Sequence, residues 1–287
     1  MSPRVLMVIL TVLLNSALAA CGSSSPSGPS AAVPVPQPDG IQVAGTVVDG
    51  AWRPFLAATV EVLNGPHAGR STSTDSRGQF RLSGSFDETT EFRATKDGFV
   101  AAVHPLPTKC EPCNPNWWIH FVLESVGHKA DLAGNYLLTF VADACTGLPD
   151  EMRTRTYDAT ATSISSPGGP ANTHFAFSVS GAPFRAGYNQ FMVGVTGDHF
   201  GGFLGDLHGD PGILEQIAPA ATLGFEGVPS ASIDPSNVST IDAAFDGVID
   251  YCESSSETST RFSCTPKDGS AHVRCASKNH RLILTRR

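Results

Sequence analysis

One stretch decides the fold: Ser71-Thr72-Ser73-Thr74-Asp75-Ser76-Arg77-Gly78-Gln79-Phe80-Arg81-Leu82. Residues 71–74 and 79–82 are short β runs, and residues 75–78 between them have the composition of a tight turn. Gly78 reaches the backbone conformation that such a turn needs, and Phe80 is the first apolar residue after it. We therefore predict two short strands joined by a turn, with Phe80 in a core.

Similar β runs recur between residues 41 and 125, and most of them end at a turn signal. The predicted strands are residues 41–48, 59–63, 71–74, 79–82, 91–96, 100–104 and 117–123. Seven short strands at this spacing favour a two-sheet sandwich of the Greek-key type. The N-terminal folded domain is therefore predicted to be residues 41–125.

Residues 130–287 continue in β patterns and are predicted to form a second domain, in which 213–218 is at most a short helical turn. The predicted strands are residues 134–142, 153–164, 174–180, 189–196, 199–207, 222–228, 241–249 and 281–286. Eight strands with mostly short polar links favour a closed, up-and-down antiparallel barrel, which leaves no exposed sheet edge. The first and last strands must then pair. A second sandwich is the alternative, and either way the chain is all-β.

Both domains resemble known families. The first does so through Val43-Ala44-Gly45-Thr46-Val47, Pro54, Ala58-Thr59-Val60, Thr74-Asp75-Ser76-Arg77-Gly78-Gln79-Phe80 and residues 94–99. It resembles a carboxypeptidase regulatory-like domain, which implies a transthyretin-like (prealbumin-like) sandwich without catalytic residues, similar to carbohydrate-binding-like folds. The second resembles a lipocalin-like module through residues 132–140, Cys145, Leu148-Pro149, residues 153–157, Cys275 and residues 280–286.

Residues 1–20 have the plan of a signal peptide: Arg4, an apolar run over 5–14, then small residues. The run is too short for a membrane span, which needs about 20 residues. Leu18-Ala19-Ala20-Cys21 resembles a bacterial lipobox, which implies a lipid on Cys21, an anchor in the membrane and a place in the cell envelope. Gly22 after the cysteine favours the outer membrane by the same resemblance. A plain cleavable signal is the alternative.

The linker over residues 21–40 follows the signal and is rich in serine and proline. It contains no aromatic residue and cannot bury a core, so we predict disorder, with residues 33–38 extended as polyproline II. Its predicted role is to space the folded domains from the bilayer.

The chain has seven cysteines. If Cys21 carries lipid, an even number remains in an oxidising compartment, which favours disulfides. Sequence alone leaves the connectivity open, because six cysteines allow 15 pairings. We favour Cys110–Cys113, Cys145–Cys275 and Cys252–Cys264, the second of which would join the start of the C-terminal domain to its end.

Aromatic residues supply the candidate ligand sites. A strand period of two puts Trp117, Ile119, Phe121 and Leu123 on one face and Trp118 and His120 on the other. Trp118 and His120 are therefore candidates for stacking on a sugar, and the alternative is that Trp118 packs against the second domain. Tyr157, Phe175 and Phe177 are predicted to point into the barrel, which is just wide enough for side chains or one small ligand. A fully packed core is the alternative there.

Two groups have the composition of metal ligands. Cys110-Glu111-Pro112-Cys113 lies near His104 and His120, but outside the cytosol a small disulfide ring is favoured over zinc or redox chemistry. Asp198-His199 with Asp206-Leu207-His208-Gly209-Asp210 is the other, and turn chemistry explains it equally well. We predict no metal and no cofactor.

Charge and motifs narrow the function. The net charge is −8 and the only basic run is Arg286-Arg287, which argues against nucleic acid as a partner. We find no Gly-x-Ser-x-Gly, His-Glu-x-x-His or phosphate-binding glycine loop, and we predict no catalytic residue. We expect a non-enzymatic surface or periplasmic lipoprotein that binds a small apolar ligand or a glycan. A structural component that contacts other envelope proteins and a hydrolase of envelope polymers are the alternatives.

Overall fold

The computed structural model describes residues 41–84, 86–106, 117–164, 173–205, 210–253, 264 and 271–287. These residues belong to one compact unit. They form seventeen strands and one short 3₁₀ helix, Asp150–Met152, so the predicted all-β class is confirmed.

The first eight strands form two four-stranded sheets, which we call the two-sheet module. The strands are β1 (Ile41–Asp49), β2 (Thr59–Val62), β3 (Ser71–Ser73), β4 (Gln79–Gly84), β5 (Glu91–Thr95), β6 (Phe99–Val100), β7 (Ala102–Pro105) and β8 (Trp117–Ser125). One sheet has the order β4-β1-β8-β6 and the other β3-β2-β5-β7. β1 runs parallel to β8, and the other pairs are antiparallel. Side chains from both sheets share one core.

The turn at residues 75–78 forms as predicted, but it carries the chain from one sheet to the other. The Asp75 carboxylate accepts hydrogen bonds from the backbone N–H groups of Arg77 and Gln79 at 2.8 and 2.9 Å. Gly78 has a φ of +70°, where a side chain would be strained. Phe80 is buried in the shared core, as expected.

The predicted strand at residues 100–104 is divided in the structure. β6 pairs with β8 in one sheet, whereas β7 pairs with β5 in the other. The short apolar pattern is the same in both pieces, so it could not show that the chain changes sheets between them.

The remaining strands form a closed eight-stranded antiparallel barrel, as predicted. They are β9 (Gly134–Val141), β10 (Thr154–Ile164), β11 (His174–Ser180), β12 (Phe184–Thr196), β13 (His199–Phe203), β14 (Ile213–Ala218), β15 (Ala221–Ser232), β16 (Thr240–Glu253) and β17 (His272–Arg286). β9 pairs with β17, so the first and last strands meet as expected. β11 pairs with β12, which completes the ring.

The fifth position of the ring is filled by two short strands. β13 and β14 both lie between β12 and β15, at opposite ends of them. Leu204 still pairs with Gly227 in the register of β13, and Ile213 opposite Phe225 restarts the ladder after an excursion of the chain. The predicted helical turn at 213–218 is therefore wrong, because the segment is strand β14. In a run of six residues the apolar positions fit the 3.6-residue helical period as well as the two-residue strand period.

Two predicted disulfides are present in the barrel. Cys145 bridges Cys275 across 130 residues of sequence, and Cys252 bridges Cys264 across 12. The first joins the loop after β9 to β17, as expected. The predicted Cys110–Cys113 bridge and the lipidation site Cys21 lie outside the described residues.

Aromatic rings fill much of the barrel interior. The largest fully buried rings are those of Tyr136, Phe140, Phe175, Phe177, Phe200, Phe225 and Phe245. Phe140 stacks on Phe225 with ring centroids 4.1 Å apart, and Phe177 stacks on Phe191 at 5.0 Å. At the end of the barrel where β9 begins, Leu132 is buried in the same core and its carbonyl accepts a hydrogen bond from the Tyr136 hydroxyl.

The two-sheet module docks on the outer wall of the barrel through residues 49–53, which we call the docking turn. Gly194 on β12 and Gly201 on β13 pair across the ladder. A Cβ atom on Gly194 would lie 1.9 Å from the carbonyl oxygen of Gly50, and one on Gly201 would lie 2.5 Å from that of Ala51. The paired glycines therefore form a slot that only a bare backbone leaves open.

Candidate functional site

Trp118 and His120 lie on the outer face of the sheet β4-β1-β8-β6. Trp118 is 55% exposed, and it stands opposite Ala44 on β1, which in turn stands opposite Arg81 on β4. His120 stands opposite Thr46 in the same way. Because paired positions of a sheet share a face, these side chains form a platform with one exposed aromatic ring beside cationic and hydroxyl groups. We call it the Trp118 face.

His120 is held in place on this face by a hydrogen bond. Thr46 Oγ1 lies 2.7 Å from His120 Nδ1. Partial burial of the imidazole, and then the nearby His104, lower the pKa of His120, so the ring is neutral at neutral pH. A neutral imidazole has one donor and one acceptor nitrogen and can exchange hydrogen bonds with hydroxyl groups of either kind.

Trp52 is the tryptophan with ring contacts to the barrel. Its ring centroid lies 4.9 Å from that of His174 and 4.9 Å from that of Phe203. Trp52 has a φ of +60°, which is unusual for a side chain of this size and is held by the docking turn. Sequence reasoning missed Trp52, because a single tryptophan after Asp49-Gly50 gives no periodic signal.

The three aromatic residues predicted to point into the barrel do so. Tyr157, Phe175 and Phe177 are all buried in the barrel core. Phe177 packs against Tyr136 with centroids 5.5 Å apart, and Tyr157 packs against Phe184 at 5.3 Å. They are brought into one core with each other but not with Trp118 and His120, so the five candidates form two separate sites.

A buried ion pair inside the barrel was missed by sequence reasoning. Glu215 on β14 accepts a hydrogen bond from Arg155 Nε at 3.0 Å and a second from Arg155 Nη2. The Tyr157 hydroxyl donates to Glu215 Oε2 at 2.7 Å. Burial, and then Glu215, raise the pKa of Tyr157 well above its usual value, so the phenol remains a neutral donor.

This cluster is structural in its chemistry. All the polar contacts satisfy one another, and the Glu215 side chain is almost fully buried. Both carboxylate oxygens of Glu215 therefore accept hydrogen bonds inside the barrel, from a bidentate arginine and from a tyrosine hydroxyl. Alternation along β10 predicts that Arg155 and Tyr157 share a face. Their partner is not predictable in the same way, because Glu215 lies in residues 213–218, where the sequence predicts at most a helical turn.

A shallow groove of about 400 Å³ lies on the outer wall of the barrel. The exposed pair Met192 and Phe203, which stand opposite each other on β12 and β13, lines it together with Tyr188, Gln190 and Pro211. A second cavity, of about 430 Å³, lies between Phe175 and the segment 129–133 at the end of the barrel.

The described residues contain no group of three His, Cys, Asp or Glu side chains arranged to hold a metal ion. His199 of the predicted acidic and histidine cluster lies beside the docking turn, near Asp49 and Arg53. Asp206 and His208 of that cluster fall outside the described part of the chain, as do Cys110 and Cys113. Within the described ranges, no helix is long and apolar enough to cross a bilayer.

Fold and surfaces together define a class: an all-β protein in which a two-sheet module docks on a closed eight-stranded barrel. The chain matches no protein-family model, and it matches no curated protein.

Proposed function

We propose that this protein is a non-enzymatic lipoprotein of the cell envelope that binds a glycan on the Trp118 face. A lipid on Cys21 would anchor it, in the outer membrane, and the linker 21–40 would hold the folded part away from the bilayer. The lipobox-like Leu18-Ala19-Ala20-Cys21 and the proline-rich composition after it support this placement.

We also propose that the two-sheet module is a carboxypeptidase regulatory-like domain and that the barrel is a lipocalin-like module. A Greek-key sandwich like that of carboxypeptidase regulatory-like domains fits the two sheets with a shared core and the turn at 75–78. A lipocalin-like identity fits the closed barrel and its Cys145–Cys275 bridge. Both are modules that other proteins use without catalytic chemistry, and a fold by itself does not fix a function.

The exposure of Trp118 is the observation that carries the glycan proposal. A large aromatic ring left more than half open on a flat sheet face offers its surface to a ring of similar size. Arg81 lies two strands from Trp118 in the same row, and Thr46 and His120 pair in the next row of that face. These side chains supply donors and acceptors for the hydroxyl groups of a sugar stacked on Trp118. Apolar surface with a few placed polar groups is the usual composition of a ligand site.

The barrel interior supports an apolar ligand less well. Its rings are in contact with one another, and Arg155, Glu215 and Tyr157 occupy each other's hydrogen-bonding groups. Native mass spectrometry of the protein from its source tests the alternative: a co-purifying apolar molecule would favour the barrel over the Trp118 face.

Binding of envelope glycans to the intact protein tests the proposal. We expect Trp118→Ala to weaken glycan binding about 30-fold or more, since a tryptophan covered by its ligand contributes about 2 kcal/mol or more. Val103→Ala is the control, because it removes an exposed apolar side chain on β7, which belongs to the other sheet of the module. Calorimetric titration of both variants gives the comparison, and equal affinity of wild type and Trp118→Ala would refute the proposal.

A second candidate function is that of an assembly component that contacts other envelope proteins. The groove with Met192 and Phe203 favours it, because exposed apolar pairs are common in protein contacts. A photo-crosslinking residue at position 203 tests it in cells. A partner captured in reproducible stoichiometry supports the assembly role, and the absence of any crosslink at that position argues against it.

A further inference from the structure

Two histidines lie where the docking turn meets the barrel. His174 begins β11 and His199 begins β13, and both contact or face residues of the turn. Neither lies in the barrel core or on the Trp118 face. The contact between the two modules is thus lined by side chains that change charge in the range of physiological pH.

His174 is buried in this contact without a full set of partners. It is 2% exposed, its ring packs against Trp52, and its Nδ1 lies 3.2 Å from Thr173 Oγ1. Its Nε2 has no hydrogen-bond partner among the described residues. An imidazolium needs an acceptor for each N–H group, so the docked arrangement accommodates the neutral ring and penalises the charged one.

His199 is placed under a similar constraint. It is partly buried beside Arg53, whose charge opposes a second positive charge, while Asp49 and Asp198 favour it. Asp49 is already committed, because its carboxylate accepts hydrogen bonds from the backbone of Ala51 and Arg53 and from Arg53 Nε. Burial comes first among the causes that lower the pKa of His199, and burial alone lowers that of His174.

Other charged groups also lie at this end of the barrel, among them Arg286 at the end of β17, which donates to the carbonyl groups of Asp131 and Ala133. The segment before β9 contributes His128, which faces Asp234 after β15. Glu124 at the end of β8 pairs with Lys129. Lys129 and Glu124 neutralise each other, and burial is the sole cause of the lowered pKa of His174, so none of these groups compensates a charge on that ring.

We propose that the docking turn is a pH-operated latch, which acidification releases from the Gly194–Gly201 slot while both modules stay folded. Each histidine binds its proton more tightly once the turn has left. Docking is therefore at full strength above about pH 6.5, the ordinary histidine pKa, and weakens as the pH falls below it.

The architecture allows such an opening without unfolding. The two modules have separate hydrophobic cores, and no residue of one core belongs to the other. Ala130 and Leu132 are fixed in the barrel core, so the segment between Ser125 and Ala130 is the joint. Release of the latch would uncover Trp52, His174 and Phe203.

Distance measurement by pulsed electron resonance on the full chain tests the latch. Spin-labelled unnatural residues replace Val103 on β7 and Val228 on β15, which are both exposed. We expect one narrow distance distribution at pH 7.5 and a broad, longer one at pH 5.0, with a midpoint below pH 6.5 and an unchanged far-ultraviolet circular dichroism spectrum. His174→Phe with His199→Gln keeps a ring against Trp52 and removes both titrations, so it should stay narrow at pH 5.0.

Three results would overturn the latch. The wild-type distribution could be the same at both pH values, the double variant could open as the wild type does, or the circular dichroism could collapse together with the distance. If the double variant does not fold, His174→Phe alone decides: the latch requires its opening midpoint to lie at lower pH than that of the wild type.

Discussion

At the residue scale, Glu215 and Trp118 lie in environments opposite to those usual for their chemistry: a charged side chain is buried and a large apolar ring is exposed. Glu215 is a buried charge whose every contact is internal, so its contribution is to the barrel. Trp118 is a large apolar ring with over half its surface in water, so it is accessible to a partner molecule. Burial and pairing thus separate a residue that stabilises the fold from one that is available to a ligand.

Loss of the Glu215 carboxylate should be strongly destabilising. Glu215→Ala leaves the Arg155 guanidinium partly buried without its partner, and we expect the free energy of unfolding to fall by about 3 kcal/mol. Asp242→Ala is the matched control, because it breaks the exposed Arg281–Asp242 pair, which solvent screens, and should cost much less than Glu215→Ala. Urea unfolding measures both, and equal losses would contradict the structural role given to Glu215.

At the scale of elements, the glycine slot on β12 and β13 fixes how the two modules meet. The docking turn approaches so closely that a methyl group on Gly194 would overlap the Gly50 carbonyl oxygen. Because the two backbones are packed so closely, only a small range of docked arrangements avoids steric overlap. The slot therefore sets the direction in which the Trp118 face points relative to the barrel.

Gly194→Ala should undock the module at neutral pH. We expect the spin-label distance between positions 103 and 228 to broaden at pH 7.5, as it does for the wild type in acid. Gly224→Ala on β15 is the control, since a Cβ there meets its nearest atoms at ordinary contact distances of 3.4 Å. A narrow distance in Gly194→Ala would mean that the turn does not depend on the slot.

The two disulfides should differ in their contributions. Cys145–Cys275 closes 130 residues and Cys252–Cys264 closes 12, and the loop-entropy argument assigns more stability to the longer loop. We expect Cys145→Ser with Cys275→Ser to lower the free energy of unfolding by about 5 kcal/mol and the other pair of changes by about 3 kcal/mol. Thermal unfolding of the two double variants, each compared with wild type, checks the order, and the reverse order would contradict it.

The sequence predicts the strands well where apolar and polar residues alternate over seven residues or more. β11 was predicted to its exact ends, and β10 and β9 to within a residue. Short pieces were not: six residues at 213–218 fit a helical or a strand period, and the change of sheet near residue 101 has no local signal. Glu215 and Trp52 were missed for the same reason, because long-range pairing decides what each contacts.

At the scale of the whole molecule, the chain combines a rigid aromatic-filled barrel with a sheet face that carries one exposed tryptophan. Aromatic rings fill the barrel core, and the contact between the docking turn and the barrel contains His174 and His199, whose pKa values are lowered by burial. In this view the Trp118 face binds, and the latch sets where that face points.

The most direct test of glycan binding is a nuclear magnetic resonance titration of the full chain with envelope glycans. Glycan binding at the Trp118 face predicts saturable shifts of the Trp118 indole N–H and His120 ring signals, with those of Trp52 and the barrel core unmoved. Shifts confined to the barrel, or no saturable shift at any glycan concentration, would contradict it.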